Sequence, residues 1–361
     1  MTRVGENMAA TDLVPRAIIA FAALWMTAAA QAQPPKPVPG KLETYRDWTI
    51  GCDNGGRCQA ASLVPADEGG WNNSASIMIT REGGGVAEPE ISFRLPSSHK
   101  AMTDIMIDGF PAASAKPQGD VLTLRGRQAS NLIRALAHGT ALELRAADKT
   151  IGHASLNRSY AALRYMDARQ GRAGTATALV ATGRLGASAV RQPPAMPVIR
   201  HAVAPQGKGV SLWQTERANA YAFARCTEEY NPTIEAEVHR LDIGRELVLV
   251  PCGAGAYNFS SVPLIASGQP GRRSFAFARF DYAPGWSESA NRPTLVNASW
   301  DARTASLGSY AKGRGLGDCG SSEAYAWDGY MFRLTQATAM GECRGARKWI
   351  TLYRARTMPK K

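Results

Sequence analysis

Four carboxylates crowd the end of the sequence around two cysteines: Asp318, Glu323, Asp328 and Glu342, with Cys319 and Cys343 among them. A pair of carboxyl groups can hydrolyse a glycosidic bond, one as acid and the other as base or nucleophile. On that reading Asp318 and Asp328 are the candidate catalytic residues of a glycan-directed or other hydrolase, with Trp327 nearby to stack on a sugar. The plainer reading is a turn at each, because each adjoins a glycine and an Asp in a turn accepts hydrogen bonds from its own backbone. The turn reading is preferred, since no other catalytic word accompanies the pair. The sequence has no G-x-S-x-G elbow, no H-E-x-x-H and no G-x-x-x-x-G-K-[ST]. Residues 315–320 do fit G-x-G-x-x-G, but Lys312, Gly313 and Arg314 before them are not the buried strand a dinucleotide site needs.

The six cysteines stand as three local pairs, which predicts disulfides Cys52–Cys58, Cys226–Cys252 and Cys319–Cys343. Metal is the rival use. The histidines His99, His138, His153, His201 and His239 are scattered and there is no Cys-x-x-Cys, so neither a metal site nor a cofactor is expected. The candidate binding feature is charge. The formal net charge is +12, and Arg344, Arg347, Lys348, Arg354, Arg356, Lys360 and Lys361 close the chain without an acidic residue among them. Such a run attracts anionic surfaces and polymers; its plain alternative is a last strand with a solvated, frayed end. The aromatic residues between Trp286 and Trp349 divide in the same way, as a glycan-stacking surface or, preferably, as core.

The chain's beginning reads as an address. Arg16 precedes an apolar run over 17–30 broken only by Thr27, and Ala30-Gln31-Ala32 follows as a small-x-small cleavage site. Cleavage is expected after Ala32, delivering the protein to the periplasm with a flexible start at 33–44 and no later membrane span. Export argues against nucleic acid as the partner of the positive charge.

What must position these residues is predominantly β. Strand patterns recur at 45–52, 76–80, 90–95, 104–107, 121–124 and 141–144, with helical spacing over 129–137 and 159–170. After a proline-rich stretch at 191–209 come strand patterns at 246–250, 274–280, 295–300, 306–310, 324–327 and 349–353, and a helix at 219–226. The expected class is mostly β with a few helices (α+β). It comprises two small disulfide-locked β-sandwich or barrel-like domains, at 45–190 and 210–361, joined by the linker 191–209.

Several words in the sequence carry a resemblance. Asp47-Trp48 with Gly51-Cys52-Asp53-Asn54, the segment 161–167 with Gln170-Gly171, Gly317-Asp318-Cys319-Gly320, Trp327-Asp328-Gly329 and Glu342-Cys343-Arg344-Gly345 resemble the exported bacterial family catalogued as DUF1176. The resemblance implies an exported six-cysteine protein without an assigned activity. The first domain is also similar, over less of its length, to the invasion-associated locus B proteins. Together these features predict a non-enzymatic envelope protein that binds an anionic polymer or another exported protein, with the hydrolase as the alternative.

Overall fold

Alternation of large apolar residues builds the first half of the protein. The computed structural model describes residues 36–67, 73–205, 207–226, 235–285, 287 and 291–360; the expected signal segment, Trp286 and Lys361 lie outside them. Strands β1 (Leu42–Tyr45), β2 (Trp48–Cys52), β3 (Cys58–Ser62), β4 (Ser76–Arg81) and β5 (Pro89–Arg94) run as an antiparallel meander. A hairpin of β6 (Thr103–Ile107) and β7 (Phe110–Ala115) leaves this sheet before β8 (Val121–Arg125) returns to pair with β5. Then come α1 (Gly126–Ala137), β9 (Ala141–Ala146), β10 (Lys149–Ser155) and α2 (Ser159–Arg169). The first sheet has the order β1-β2-β3-β4-β5-β8 and the second β10-β9-β6-β7.

The core between these sheets and the helices follows from period two in strands and near four in helices. Ile77 and Ile79 of β4 and Ile91 and Phe93 of β5 are fully buried on one face. Against them lie Leu132, Ile133 and Leu136 of α1, and Leu163 and Met166 of α2. Helix α2 stops where Gly171, at φ 66°, takes the left-handed conformation that ends a helix at little cost.

The second half opens inside the proline-rich stretch. Strand β11 (Val198–His201) lies there, parallel to the last strand of the chain, so the stretch is not wholly irregular. Helix α3 (Gln214–Ala224) starts earlier than its apolar spacing indicates. Next, β12 (Glu237–Asp242), β13 (Arg245–Ala254), β14 (Phe259–Ser267), β15 (Ser274–Phe277) and β16 (Leu295–Val296) form one sheet. The other contains β17 (Ser299–Asp301), β18 (Ser306–Lys312), β19 (Gly320–Trp327), β20 (Phe332–Met340) and β21 (Ile350–Arg354), in that order. Strand β22 (Arg356–Pro359) pairs with β11. The single strand expected at 295–300 is two strands in two sheets, because Asn297 at φ 43° breaks the extended run. Each sheet in the described residues is open, and none closes into a barrel. Residues Lys36–Lys361 make one compact unit.

Three disulfides pin this framework. Cys52–Cys58 joins directly opposed residues of β2 and β3, Cys226–Cys252 ties the end of α3 to β13, and Cys319–Cys343 ties the start of β19 to the loop after β20. Tyr325, Trp327 and Phe332 are core residues, whereas Tyr330 is exposed and Trp349 stacks on Tyr310 at 4.7 Å.

Among the buried acids of the second half, Glu323 lies beside Tyr325 on the same strand. Glu323 on β19 is 5% exposed, and its Oε2 has no hydrogen-bond partner. Burial pushes its carboxyl above the ordinary range, although Ser321 and the Gly285 backbone oppose the rise by donating to it. A raised carboxyl means the folded protein holds its proton more tightly than the unfolded chain. This contribution is therefore intact below the ordinary glutamate pKa and is lost as pH rises through the folded one. Glu323→Gln should raise the Tm above wild type at pH 7, with the difference vanishing near pH 4. Equal Tm values at pH 7 in a thermal-unfolding series would contradict this.

Candidate functional site

The sequence words come together where the first half meets the last strands. Gly51 faces β21 so closely that a Cβ there would lie 2.6 Å from Leu352 and 3.0 Å from Ile350. Leu63 and Met78 bury against Met340, Ile350 and Leu352 in one apolar layer. On this layer two arginines from the chain's end engage two aspartates from its beginning. Arg354 pairs with Asp53, whose other oxygen accepts from the backbone of Gly55 (2.8 Å) and Arg57 (3.0 Å) inside the Cys52–Cys58 loop. Asn54 closes the contact by a reciprocal pair with the Arg354 backbone, at 2.9 and 2.8 Å.

The second engagement is more enclosed in backbone. Arg344 donates to the carbonyls of Val64 (2.7 Å) and Arg46 (2.6 Å) and to Asp47 Oδ1 (2.5 Å). Asp47 Oδ2 accepts from the Ser155 hydroxyl at 2.7 Å, and Trp48 Nε1 donates to the Ser155 carbonyl at 3.2 Å. Arg344 is presented by its own loop, fixed through the Cys319–Cys343 bond and through Asp318. That carboxylate takes a two-pronged bond from Arg314 (2.8 Å to each oxygen) and one from the Gly345 N–H at 2.9 Å. Burial works to raise Asp318, but Arg314 and the Gly345 N–H outweigh it and hold the carboxyl below its ordinary range. The segment 161–171 supports the other side. Asp167 accepts from the backbone of Leu179, Val180 and Ala181, and Gln170 donates to the carbonyls of Gly56, Arg81 and Glu82.

An open cleft of about 1040 Å³ lies at this junction. Asp47, Ser155 and Arg344 form part of its wall, the β1–β2 turn and the start of α2 add Arg46, Arg158 and Tyr160, and residues 65–67 and the loop after α1 line the rest. Sequence reasoning reached Arg344 through charge, but it missed Arg46, Arg158 and Tyr160. No residue pattern singles these three out in the sequence; Arg46 and Arg158 are distinguished by left-handed backbone conformation, at φ 53° and 71°.

The carboxylates read as a catalytic pair do not converge. Asp318 precedes β19 and Asp328 follows it, so the eight-residue strand (Gly320–Trp327) lies between them. At ~3.3 Å per residue that separation is roughly 25–30 Å, against ~5–10 Å in a glycosidase. Asp328 accepts from the backbone of Tyr330 and Met331, at 2.8 Å each, and from Arg333 at 2.6 Å. Asp328 closes its own turn, Asp318 holds Arg314 and the Gly345 N–H, and this geometry gives the hydrolase no acid–base pair. Of the basic residues near the C-terminus, Arg344 and Arg354 are held within the chain and Lys360 donates to the Asp328 carbonyl. Arg347, Lys348 and Arg356 are exposed. Among the described residues no cluster of three or more His, Cys, Asp or Glu side chains could hold a metal ion.

Removing one partner of an enclosed ion pair strands the other. Arg344→Ala should cost about 3 kcal/mol in urea unfolding at pH 7, and Asp47→Asn combined with Arg344→Met should cost less than either single change. A loss in Arg344→Ala below about 1 kcal/mol, the level of a surface pair, would show the contact to be incidental.

The chain is 28% identical over 331 residues to "Uncharacterized protein YpfG" of Escherichia coli (strain K12), covering 86% of this chain and 91% of that one. No solved structure matches it. The profile of the family described as "Protein of unknown function (DUF1176)" matches residues 42–356, from β1 to the first residue of β22. The chain therefore belongs to the DUF1176 family.

Proposed function

We propose that this protein is an exported, non-enzymatic binding protein of the bacterial envelope, and that the cleft at the junction receives an anionic partner. The observation that carries this reading is the cleft itself: about 1040 Å³, with three arginines in its wall and Asp47 already neutralised by Arg344. That volume suits a ligand of several rings. The signal-like start and the three disulfides support export, since disulfides persist in oxidising compartments. An anionic polymer is the favoured partner because the formal charge of +12 would raise its local concentration at the surface.

Co-sedimentation of the mature, oxidised protein with purified cell-wall sacculi tests the reading. Saturable binding should survive at 0.15 M salt, where the Debye length is ~8 Å, because a cleft contact is screened less than a diffuse one. Absence of binding there, or binding that fades smoothly to nothing between 0.02 and ~0.15 M salt, would contradict it.

A further inference from the structure

Three arginines among the described residues occupy left-handed backbone positions that the chain would fill more cheaply with other residues; Arg225 closes α3, and the other two line one cleft. Arg46 is at φ 53° in the two-residue turn between β1 and β2, and Arg158 is at φ 71° immediately before α2. The left-handed conformation suits Gly, Asn or Asp in such a turn. Before a helix, Ser, Thr, Asp or Asn would cap the first N–H groups, and Arg158 makes no such side-chain bond. Each position thus forgoes local stability, and both side chains line the same cleft. A strained residue at a site is an observation from which a function can be inferred.

The neighbours of these arginines narrow the chemistry. Arg344 is committed to Asp47, and the Ser155 hydroxyl is committed to Asp47 as well. The exposed lining includes Arg46 and Arg158, the Asn157 amide and the Tyr160 ring, beside Ala66, Asp67 and Thr140. Among the described residues, the side chains of Arg46, Asn157, Arg158 and Tyr160 have no hydrogen bond or ion pair within the protein, and Tyr160 is 37% exposed beside His138. Asp67 is the one opposing charge in the wall not answered by Arg344. Guanidinium groups bind carboxylate in a planar fork, an amide pairs with hydroxyls in both directions, and an exposed aromatic face covers the apolar face of a ring.

Resting on the reading of the cleft as a binding site, we infer that its ligand is an acidic glycan. Sugar carboxylates sit on Arg46 and Arg158, a hydroxyl-bearing edge meets Asn157, and one ring lies on Tyr160. A phosphate polymer would satisfy the arginines but leave Asn157 and Tyr160 without a role.

Titration calorimetry of the mature protein at 0.15 M salt separates these possibilities, using a galacturonic acid hexamer, a neutral maltohexaose and a polyphosphate of similar length. The hexuronate should bind, the neutral hexamer should bind at least tenfold more weakly, and Arg46→Ala with Arg158→Ala should weaken hexuronate at least tenfold. Tyr160→Ala should weaken hexuronate but leave any polyphosphate binding unchanged. Unfolding by urea checks that these exposed substitutions leave the fold intact. Hexuronate bound equally by wild type and the arginine variant would place the site elsewhere. Polyphosphate binding more tightly than hexuronate would overturn the sugar assignment. Wild type that pellets with sacculi but ignores the hexuronate would overturn this inference alone; wild type that does neither would remove the reading beneath it.

Discussion

The engagement of Arg344 with Asp47 and the carbonyls of Val64 and Arg46 holds a loop near the C-terminus against a turn near the other end of the sequence. Both partners are largely removed from water, with side-chain exposures of 19% and 9%. Desolvating such a pair offsets much of its Coulomb attraction, so its main physical effect is to penalise any arrangement that separates the charges. The apolar layer of Leu63, Met78, Ile350 and Leu352 supplies adhesion, and the arginine supplies register. Arg354 on Asp53 repeats the arrangement at the tip of the Cys52–Cys58 hairpin. The cleft exists because these contacts hold the β1–β2 turn, the start of α2 and the Arg344 loop around one space.

Seen this way, the short sequence words are parts of a single joint. Asp318 and Cys319–Cys343 aim Arg344, Asp47 and Trp48 receive it through Ser155, and Gln170 braces the hairpin that carries Asp53. The aspartates that resemble an acid–base pair lie at opposite ends of β19 and fasten its two ends.

The parts of this arrangement legible in the sequence are those with a local signal. Period two marks β2, β4 and β5, helical spacing marks α1 and α2, and the cysteines lie close to their partners. Strand β14 carries Ser260, Ser261 and Pro263 and shows no such pattern; it is a strand because β13 and β15 flank it. Strand β11 is extended because the last residues of the chain run beside it, a partner no local pattern names. The positive run near the C-terminus was visible as charge, but charge alone does not say which arginines face solvent. Arg344 and Arg354 have acids nearly 300 residues away in sequence, at separations of 297 and 301. Arg46 and Arg158 carry no such signal, because their distinction lies in backbone conformation, which only the folded chain displays.

The Arg344 and Arg354 engagements join the first and second halves into one cooperative body. Scanning calorimetry of the mature, oxidised protein tests it directly. A single unfolding transition, with calorimetric and van't Hoff enthalpies in agreement, is the expected result. Two resolved transitions, one for the sheets before α2 and one for those after α3, would contradict it.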